Sequence, residues 1–571
     1  MRKHILCLTT AMLFLLHIPL AGQNISDIAN SDPLIISGTI GTMNTYRNSS
    51  VGNGYASPMS NTVYATLNIS TFGINMPFSF YYSNDNLNFN YPKISFNLTP
   101  SYKNWTGHIG LSNISMSNYV MNMSFNGVGI EYNDDKWRAG AFYGRLRNAI
   151  NDDPTDPFAR APQYKRMGWG IKSGYGSGKN YIDVYLLRAY DSRHSLDQEW
   201  REIVRPQENL VLGVKGCVTP LSWFSLTANA ATSILNKDSE AEKIATSTSF
   251  DKVFDTRYSS LVRFAGDVNA NFMLPGFNAS LSYRMIQPDY TSLGTYHISN
   301  NYHSLAVSVN TFLFKRIALS AIFSGQEDNL SGEQMYTTCG YIYALSASTR
   351  INDYFNLSAS YNGYLQTQRD GTMHINDSIK IKRLMSGISL TPSFMYETDN
   401  LGHNASLSLN YSKNEDLNKY ATGIGDVKTK AIGCSYNIDV KPWVTDFTIT
   451  YSHQQSEGYR SEYISDVASL SASRSFLKDN SLNLSASLSL CYNEMRYTSK
   501  SLSLATDLSA SYTYKKVQVF SAMAGFSKYG DVNISQTRSG LDCTDTTISL
   551  NYLYTFSLFS IKKKSKERAA L

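Results

Sequence analysis

The chain has 571 residues, of which 13% are aromatic and only 17% are charged, and its formal net charge is +6. Aromatic and β-branched residues occur along the whole length, which excludes an intrinsically disordered protein. After the first 22 residues no apolar run approaches the ~20 residues of a membrane-spanning helix, so a helical membrane protein is excluded as well. Basic residues form no stripe within the predicted fold, so we expect no nucleic-acid binding.

The first segment in chain order predicts export. Arg2 and Lys3 precede the apolar run 5–16, and Ala21 and Gly22 occupy the expected cleavage point. A short basic segment, an apolar run of this length and small residues at its end are typical of a secretory signal peptide. We therefore expect residues 1–22 to be a signal peptide and residues 23–33 to form a short periplasmic segment.

Most of the remaining chain shows a hydrophobic period of two. From Leu482 to Tyr492 an apolar residue at every second position alternates with Asn or Ser. Because successive side chains of a β-strand point to opposite faces, this segment predicts a strand with one apolar and one polar face. The same alternation recurs in residues 63–69, 94–98, 277–283, 355–361 and 405–411.

The connections between the predicted strands alternate between short and long. The short ones include 133–135, 176–179, 219–221, 274–276, 314–316 and 478–480. The long ones include 146–162, 191–208, 233–256, 286–302, 367–381, 412–427 and 528–543. Tight turns and long loops that alternate between strands of ~10 residues are typical of a transmembrane β-barrel. Such a sheet must close on itself because hydrocarbon offers no hydrogen-bond partner to an open edge.

These patterns predict an all-β fold with one large antiparallel transmembrane barrel over residues 34–560. We expect about 26 strands, within a range of about 24–28, with short periplasmic turns and long extracellular loops. A basic tail, residues 561–571, follows the last strand. A soluble β protein would also show alternating strands, and the loop rhythm is what favours the membrane barrel.

Tryptophan placement is an independent indication of orientation. Trp105, Trp137, Trp223 and Trp443 lie at or just beyond a predicted short turn. Aromatic residues concentrate at membrane–water interfaces, so this placement favours an aromatic girdle at the periplasmic end. The alternative is that aromatic residues simply prefer strands.

The cysteines indicate neither a metal site nor a disulfide framework. Five remain after the predicted signal peptide, at positions 217, 339, 434, 491 and 543. They form no CxxC pair and no Cys/His cluster with zinc spacing. We expect most of them to be isolated strand residues, and one disulfide stays open as an alternative.

Four stretches carry a family resemblance: residues 76–80, 100–105, 209–213 and 284–290. Through them the chain resembles the large, mostly uncharacterised outer-membrane β-barrel proteins of Bacteroidota-type Gram-negative bacteria. The resemblance covers essentially the whole mature chain. It implies a location in the cell outer membrane and a single large barrel, and it supplies no catalytic residue. TonB-dependent receptors fit less well, because they carry a globular plug before the barrel, and ushers carry added periplasmic domains.

Catalytic chemistry has little support. His297 and His303 lie in or beside the loop 286–302 with Asp289, and outer-membrane hydrolases use a His beside a carboxylate or Ser at the barrel rim. A chain rich in Ser and Asp produces such neighbours by chance. We therefore expect no enzyme activity, no catalytic residue and no cofactor.

Metal binding has slightly more support. Asp152, Asp153 and Asp156 group three carboxylates in one predicted outer loop, and Ca²⁺ favours such ligands. The glycine placement and the distal glutamate of a calcium loop are missing, so we expect no metal site.

The predicted lumen face is mostly Ser, Thr, Asn and Gly. Its occasional charges are Arg138, Arg166, Lys172, Arg263, Asp267 and Arg383. Barrels of 16–18 strands already enclose a water channel, so an empty barrel of about 26 would leak. Long loops must fold inward, or a partner must occupy the lumen, or the barrel must be flattened and packed. The charges either line a pathway or only pair across the wall.

Three functional hypotheses follow. The first is a channel or transport barrel for solutes or an exported polypeptide, with a lumen gated by inward loops or a partner. The second is a structural or surface-interaction barrel that binds a partner through its long loops, and the third and weakest is a rim-located hydrolase. The expected partners are outer-membrane lipid and lipopolysaccharide, the barrel assembly machinery, and a lumen-plugging or surface protein.

Overall fold

A computed structural model describes residues 34–51, 58–84, 94–151, 160–244, 254–420, 423, 425–477, 479–496, 498–533 and 542–561. They form one sheet of 27 antiparallel strands. The first fourteen are β1 (Leu34–Ser49), β2 (Met59–Thr71), β3 (Ile74–Ser83), β4 (Ile94–Leu98), β5 (Ser101–Tyr102), β6 (Trp105–Ser112), β7 (Phe125–Asn133), β8 (Trp137–Arg147), β9 (Arg166–Ser177), β10 (Asn180–Asp191), β11 (Glu208–Leu221), β12 (Phe224–Asn236), β13 (Ser260–Leu274) and β14 (Phe277–Ile286).

The remaining strands are β15 (Tyr302–Leu313), β16 (Ile317–Asp328), β17 (Tyr336–Arg350), β18 (Phe355–Asp370), β19 (Lys382–Glu397), β20 (Leu401–Asp416), β21 (Val427–Val440), β22 (Thr445–Gly458), β23 (Ser461–Phe476), β24 (Leu482–Met495), β25 (Ser499–Tyr514), β26 (Gln518–Asn533) and β27 (Cys543–Ile561). A single helical turn, α1 (Gln198–Arg201), lies in the loop after β10. No helix among the described residues is long and apolar enough to cross a membrane.

Two of the strands share one place in the wall. Both β4 and β5 pair with β3 on one side and with β6 on the other. They are halves of one strand that is interrupted at Thr99 and Pro100, and proline cannot donate a ladder hydrogen bond. Because 27 strands then fill 26 places, the wall has 26 strands, which confirms the predicted number.

The sheet closes through its first and last strands. β1 pairs with β27 from Leu34↔Ile561 to Ser49↔Asp545, with one irregularity after Ile36. Every other strand pairs with its neighbours in chain order, so no crossover connection is needed. Closure leaves no edge strand in the wall, which is the condition for a sheet to span hydrocarbon.

The two faces of the wall differ in chemistry. On β24 the outward Leu488 and Leu490 are 41% and 45% exposed, which places an apolar surface toward the lipid. On the inner face hydroxyl groups pair between strands, as in Ser485–Ser509 at 2.7 Å and Thr450–Ser469 at 2.6 Å. The apolar exterior and polar interior identify the fold as a transmembrane barrel of the cell outer membrane.

The short connections lie together at one end of the barrel. Phe314 and Lys315 have φ of 53° and 58°, and Lys515 and Lys516 repeat the pattern at 49° and 59°. Two consecutive positive φ values are typical of the type I′ turns that join two twisted strands tightly.

The predicted aromatic girdle lies at this short-turn end. Trp105 and Trp137 are the first residues of β6 and β8, and their rings pack on Tyr132 and Tyr175. Trp223 lies in the β11–β12 turn and Trp443 in the turn before β22. All four side chains are exposed on the surface, as the prediction requires.

Several sequence predictions concern the ends of the chain and the cysteines. The signal peptide 1–22, the segment 23–33 and residues 562–571 of the basic tail lie outside the described residues, and these predictions stay untested. Cys217, Cys339, Cys434, Cys491 and Cys543 all lie in strands and are all free.

The assignment of faces can be tested on β24 with two adjacent lysine substitutions. We expect Leu488→Lys to lower the free energy of unfolding by roughly 2–4 kcal/mol, because it places a charge against the hydrocarbon near mid-height. Ser487→Lys is the matched control and should change stability little, since its side chain enters the lumen and meets Asp507. Equilibrium unfolding in urea with lipid vesicles measures both. Equal costs for the two variants would contradict the assigned faces.

Candidate functional site: the lumen constriction

The connection between β6 and β7 leaves the wall and folds into the barrel. Ser112 and Phe125 are opposite each other in the register, so residues 113–124 depart and return at the same height. We call residues 113–124 the inner segment. Ile114 and Val120 within it are fully buried, and Met121 is 3% exposed. The inner segment is therefore packed against the wall and does not project into solvent.

Inward glycines make room for the inner segment. A Cβ atom on Gly213 of β11 would lie 2.4 Å from Cγ2 of Val120. On Gly170 of β9 it would lie 2.9 Å from Cε of Met116, and on Gly129 of β7 it would lie 3.0 Å from Cδ1 of Ile114. Contacts this short are closer than ordinary van der Waals separation. A larger side chain at Gly213 would displace the segment, because Val120 is β-branched and stiff, whereas the ends of Met116 and Ile114 are flexible. We call these three positions the glycine seat.

An apolar cluster joins the inner segment to the wall. Its wall members are inward side chains of β7 to β14: Phe125, Phe142, Leu146, Tyr185, Leu187, Ala189, Val211, Ala231, Leu235, Ala265 and Ile286. Phe142 lies near the middle of β8, whereas Leu235 and Ile286 lie at the long-loop ends of β12 and β14, so the cluster extends from mid-height to the long-loop end of the barrel. Burying each large apolar side chain contributes about 1.5–3 kcal/mol, which is sufficient to hold the inner segment in place.

Polar contacts fix the position of the inner segment. The Tyr119 hydroxyl donates to Oδ1 of Asp267 on β13 at 2.7 Å, and the Ser117 hydroxyl donates to Oδ1 of Asn229 on β12 at 2.7 Å. Burial raises the pKa of Tyr119, and the hydrogen bond to Asp267 raises it further. The phenol therefore remains a donor across the physiological pH range. These bonds attach the inner segment, which rejoins the wall at β7, to strands as distant as β12 and β13.

A second connection covers the inner segment. Residues 287–301 link β14 to β15, and we call them the covering loop. The Tyr290 hydroxyl donates to the carbonyl of Tyr119 at 2.9 Å, and the Ser292 hydroxyl donates to the carbonyl of Val120 at 2.6 Å. The amide of Met123 donates to the Gly294 carbonyl at 3.2 Å. The covering loop thus satisfies buried backbone groups that the wall does not reach.

The register places all six predicted lumen charges on the inner face, as the sequence analysis expected. Arg138 donates to Asp183 at 2.9 Å, and Arg166 donates to Asp191 at 2.8 Å. Lys172 pairs with Glu131 and also approaches the Ser115 carbonyl at 3.5 Å.

The other three predicted charges act in a similar way. Arg263 donates to the carbonyl of Pro288 in the covering loop at 2.8 Å, and Asp267 accepts from Tyr119. Arg383 is opposite Asp416 in the register at the long-loop end of β19 and β20. The sequence analysis left two alternatives for these charges, namely lining a pathway or pairing across the wall. All of them except Arg383 make pairs with groups on the wall or in the inward connections.

The remaining candidate groups are separated or lie outside the described residues. Asp289 pairs with Lys237 at 3.4 Å, and the ring of His303 packs near Tyr283 on the outer face. No group of three metal-ligating side chains occurs within the described part of the chain. The acidic residues at 152, 153 and 156 lie outside it, so that prediction stays untested.

Comparisons with known proteins find similarity of fold alone. No protein-family profile and no curated protein matches the chain. Among solved structures, the P pilus usher (PapC) translocation pore aligns with 92% of this chain and 100% of its own at 9% identity and a TM-score of 0.35. OccAB3 of Acinetobacter baumannii aligns with 68% and 99% at 12% identity and a TM-score of 0.31. OprD of Pseudomonas aeruginosa aligns with 64% and 97% at 11% identity and a TM-score of 0.31.

The sequence analysis missed the inner segment, because residues 113–124 were not among the predicted long loops. A signal was present in the neighbouring strands. Glycine recurs at every second position in β7 and β9, at 127 and 129 and at 168 and 170. Glycines on one face of a strand indicate that another part of the chain approaches closely there.

The glycine seat can be tested with a substitution that fills it. We expect Gly213→Leu to displace the inner segment and to speed chymotryptic cleavage after Tyr119 at least about tenfold. Cleavage requires the inner segment to leave the wall, and lowering the free energy of this opening by about 1.4 kcal/mol makes the open state tenfold more populated. Mass spectrometry of the digested, folded barrel measures the cleavage. Gly216→Leu on the lipid-facing side of β11 is the control and should match the unsubstituted protein. Equal cleavage in both variants would show that the seat does not hold the segment.

Proposed function

We propose that this chain is an outer-membrane channel for polar solutes, narrowed between mid-height and the long-loop end by the inner segment and the covering loop. It would belong to the Bacteroidota-type barrel proteins that its sequence resembles. The observation that carries the proposal is the position of the inner segment, which packs against β7 to β13, whereas among the described residues inward side chains of β20 and β24 are exposed.

The size of the wall supports a remaining opening. Twenty-six strands at a spacing of roughly 4.8 Å and a tilt of roughly 40° give a circumference of roughly 160 Å, or a diameter of roughly 50 Å for a circular section. A layer of chain packed on the inner wall occupies roughly 10 Å of this diameter. The inner segment, at about a dozen residues, is too short to fill this section.

The exposure of the opposite wall supports the same conclusion. The inward side chains of Asn410 on β20 and Asn483 and Ser485 on β24 are exposed. A barrel that was flattened until its walls packed together would bury such residues. Their exposure therefore favours a water-filled passage along this side of the lumen.

Single-channel recording of the refolded mature protein in a planar bilayer tests the proposal. We expect stable conductance steps in the unsubstituted protein. A variant in which Asn-Gly replaces residues 113–124 should conduct more, because Ser112 and Phe125 are register partners and a two-residue turn leaves the wall intact.

The matched control replaces the exposed loop 371–381 with a Gly-Ser stretch of the same length and should leave the conductance unchanged. Absence of conductance from protein shown to be folded and inserted would contradict the channel function. It would instead favour a sealed barrel that acts through its long loops.

A further inference from the structure

Charge is distributed unevenly around the lumen. In β6 to β14 charged side chains occur on the inner face within the strands, as at Glu131, Lys172, Asp267 and Arg284. In β15 to β24 every lumen-facing charge lies in the first two or the last two residues of its strand. These are Asp328, Arg350, Asp370, Arg383, Glu397, Asp416, Asp439 and Asp446. The lumen wall of these ten strands is therefore neutral between its two rims.

Hydroxyl and amide groups replace the charges on this neutral wall. Thr429 pairs with Ser456 at 3.0 Å, and Ser465 donates to Asn493 at 2.8 Å. Hydroxyl groups both donate and accept, so such a wall can exchange hydrogen bonds with a polar solute without fixing its charge.

An apolar strip crosses the neutral wall. Ile342, Tyr364 and Met385 are direct cross-strand partners on the inner faces of β17, β18 and β19. Ile342 is 49% exposed and Met385 is 44% exposed, although both face a polar lumen. Apolar side chains left in contact with water along a passage are available to pack against a solute.

The Tyr364 side chain extends along the wall to Gly340. A Cβ atom on Gly340 would be 3.0 Å from the Tyr364 hydroxyl oxygen and 3.1 Å from its Cε2 atom, but 3.5 Å from the Cζ atom between them. The glycine therefore meets the edge of the ring and leaves room for the tyrosine on the inner wall. Tyr364 is partly exposed, so its ring adds aromatic surface to the strip.

A hollow lies beside the strip. Gly387 has no side chain, and its neighbours on the inner face are Asn362 on β18 and Ser412 on β20. These residues, together with Tyr364, Met385 and Asn410, line one depression in the wall. Apolar surface and amide groups are thus presented side by side, within reach of one small molecule.

We propose that this strip and hollow bind neutral sugars or oligosaccharides as they pass through the lumen, an inference that rests on the proposed channel function. A sugar ring has an apolar C–H face, which Tyr364, Ile342 and Met385 can contact, and hydroxyl groups, which the neighbouring Asn and Ser side chains can bind. The only charged residue at the depression is Lys413, whose side chain is on the outer face of β20 and pairs with Glu415, so the described site offers an ionised solute no free charge. Because the depression is shallow, the dissociation constant is on the order of millimolar.

Current interruptions in single-channel recordings test the inference, with maltohexaose as the probe. We expect maltohexaose to interrupt the current through the unsubstituted channel in a concentration-dependent manner. Tyr364→Ala should weaken the apparent affinity about tenfold, because it removes the aromatic surface of the strip. Tyr361→Ala is the matched control, since Tyr361 is on the same strand but faces the lipid.

The possible results separate this inference from the channel function. Conductance without any interruption by maltohexaose would overturn the sugar site and leave the channel function standing. An acidic hexa-oligogalacturonate that interrupts the current as strongly as maltohexaose would overturn the neutral selectivity. Equal affinity in Tyr364→Ala and Tyr361→Ala would overturn the placement of the site. Absence of conductance would contradict the proposed function itself.

Discussion

The backbone hydrogen bonds between β1 and β27 are the contacts on which the rest of the structure depends. They run from Leu34↔Ile561 to Ser49↔Asp545 and convert an open sheet into a wall without edges. In hydrocarbon each unpaired backbone group costs several kcal/mol, so a sheet of this size is stable in a membrane only when closed. Closure also fixes the alternation of faces, because every strand must present its apolar side outward in the same register.

A wall of 26 strands creates a second requirement, which is control of a wide lumen. The chain meets it with the inner segment, whose departure and return at Ser112 and Phe125 do not disturb the sheet. Glycine at positions 129, 170 and 213 has no side chain on the inner face, so the inner segment can lie close to the wall. The result is an asymmetric lumen. One side is filled and carries paired charges, and the other side is neutral and exposed.

The sequence predicted the strands of the wall better than the segments and ion pairs inside the lumen. Strand alternation, as at Leu482 to Tyr492, is a local property, and the loop rhythm follows from membrane topology, so both could be derived from one sequence. The inward direction of Arg166 and Lys172 followed from the same alternation. The sequence did not predict their partners, Asp191 and Glu131, because these lie on neighbouring strands whose register is set by the whole sheet.

The inner segment was missed for a related reason. Residues 113–124 are as apolar as a strand, and only their contacts with β7 to β13, which are distant in sequence, decide that they pack inside the barrel. The glycines of β7 and β9 were the available signal, but one sequence does not say what approaches them. The break between β4 and β5 was not predicted either. A proline such as Pro100 locally indicates a turn, and one sequence does not show that it interrupts a single strand.

Labelling of single cysteines by a membrane-impermeant maleimide, in a background with the five native cysteines replaced by serine, tests the half-filled lumen most directly. The account predicts rapid labelling at Asn410→Cys on the exposed inner wall, and none at its lipid-facing neighbour Leu409→Cys. Ala231→Cys, at a position that is 2% exposed within the cluster, should label only after Asn-Gly replaces residues 113–124. Slow labelling at Asn410→Cys, or rapid labelling at Ala231→Cys with the inner segment intact, would contradict the account.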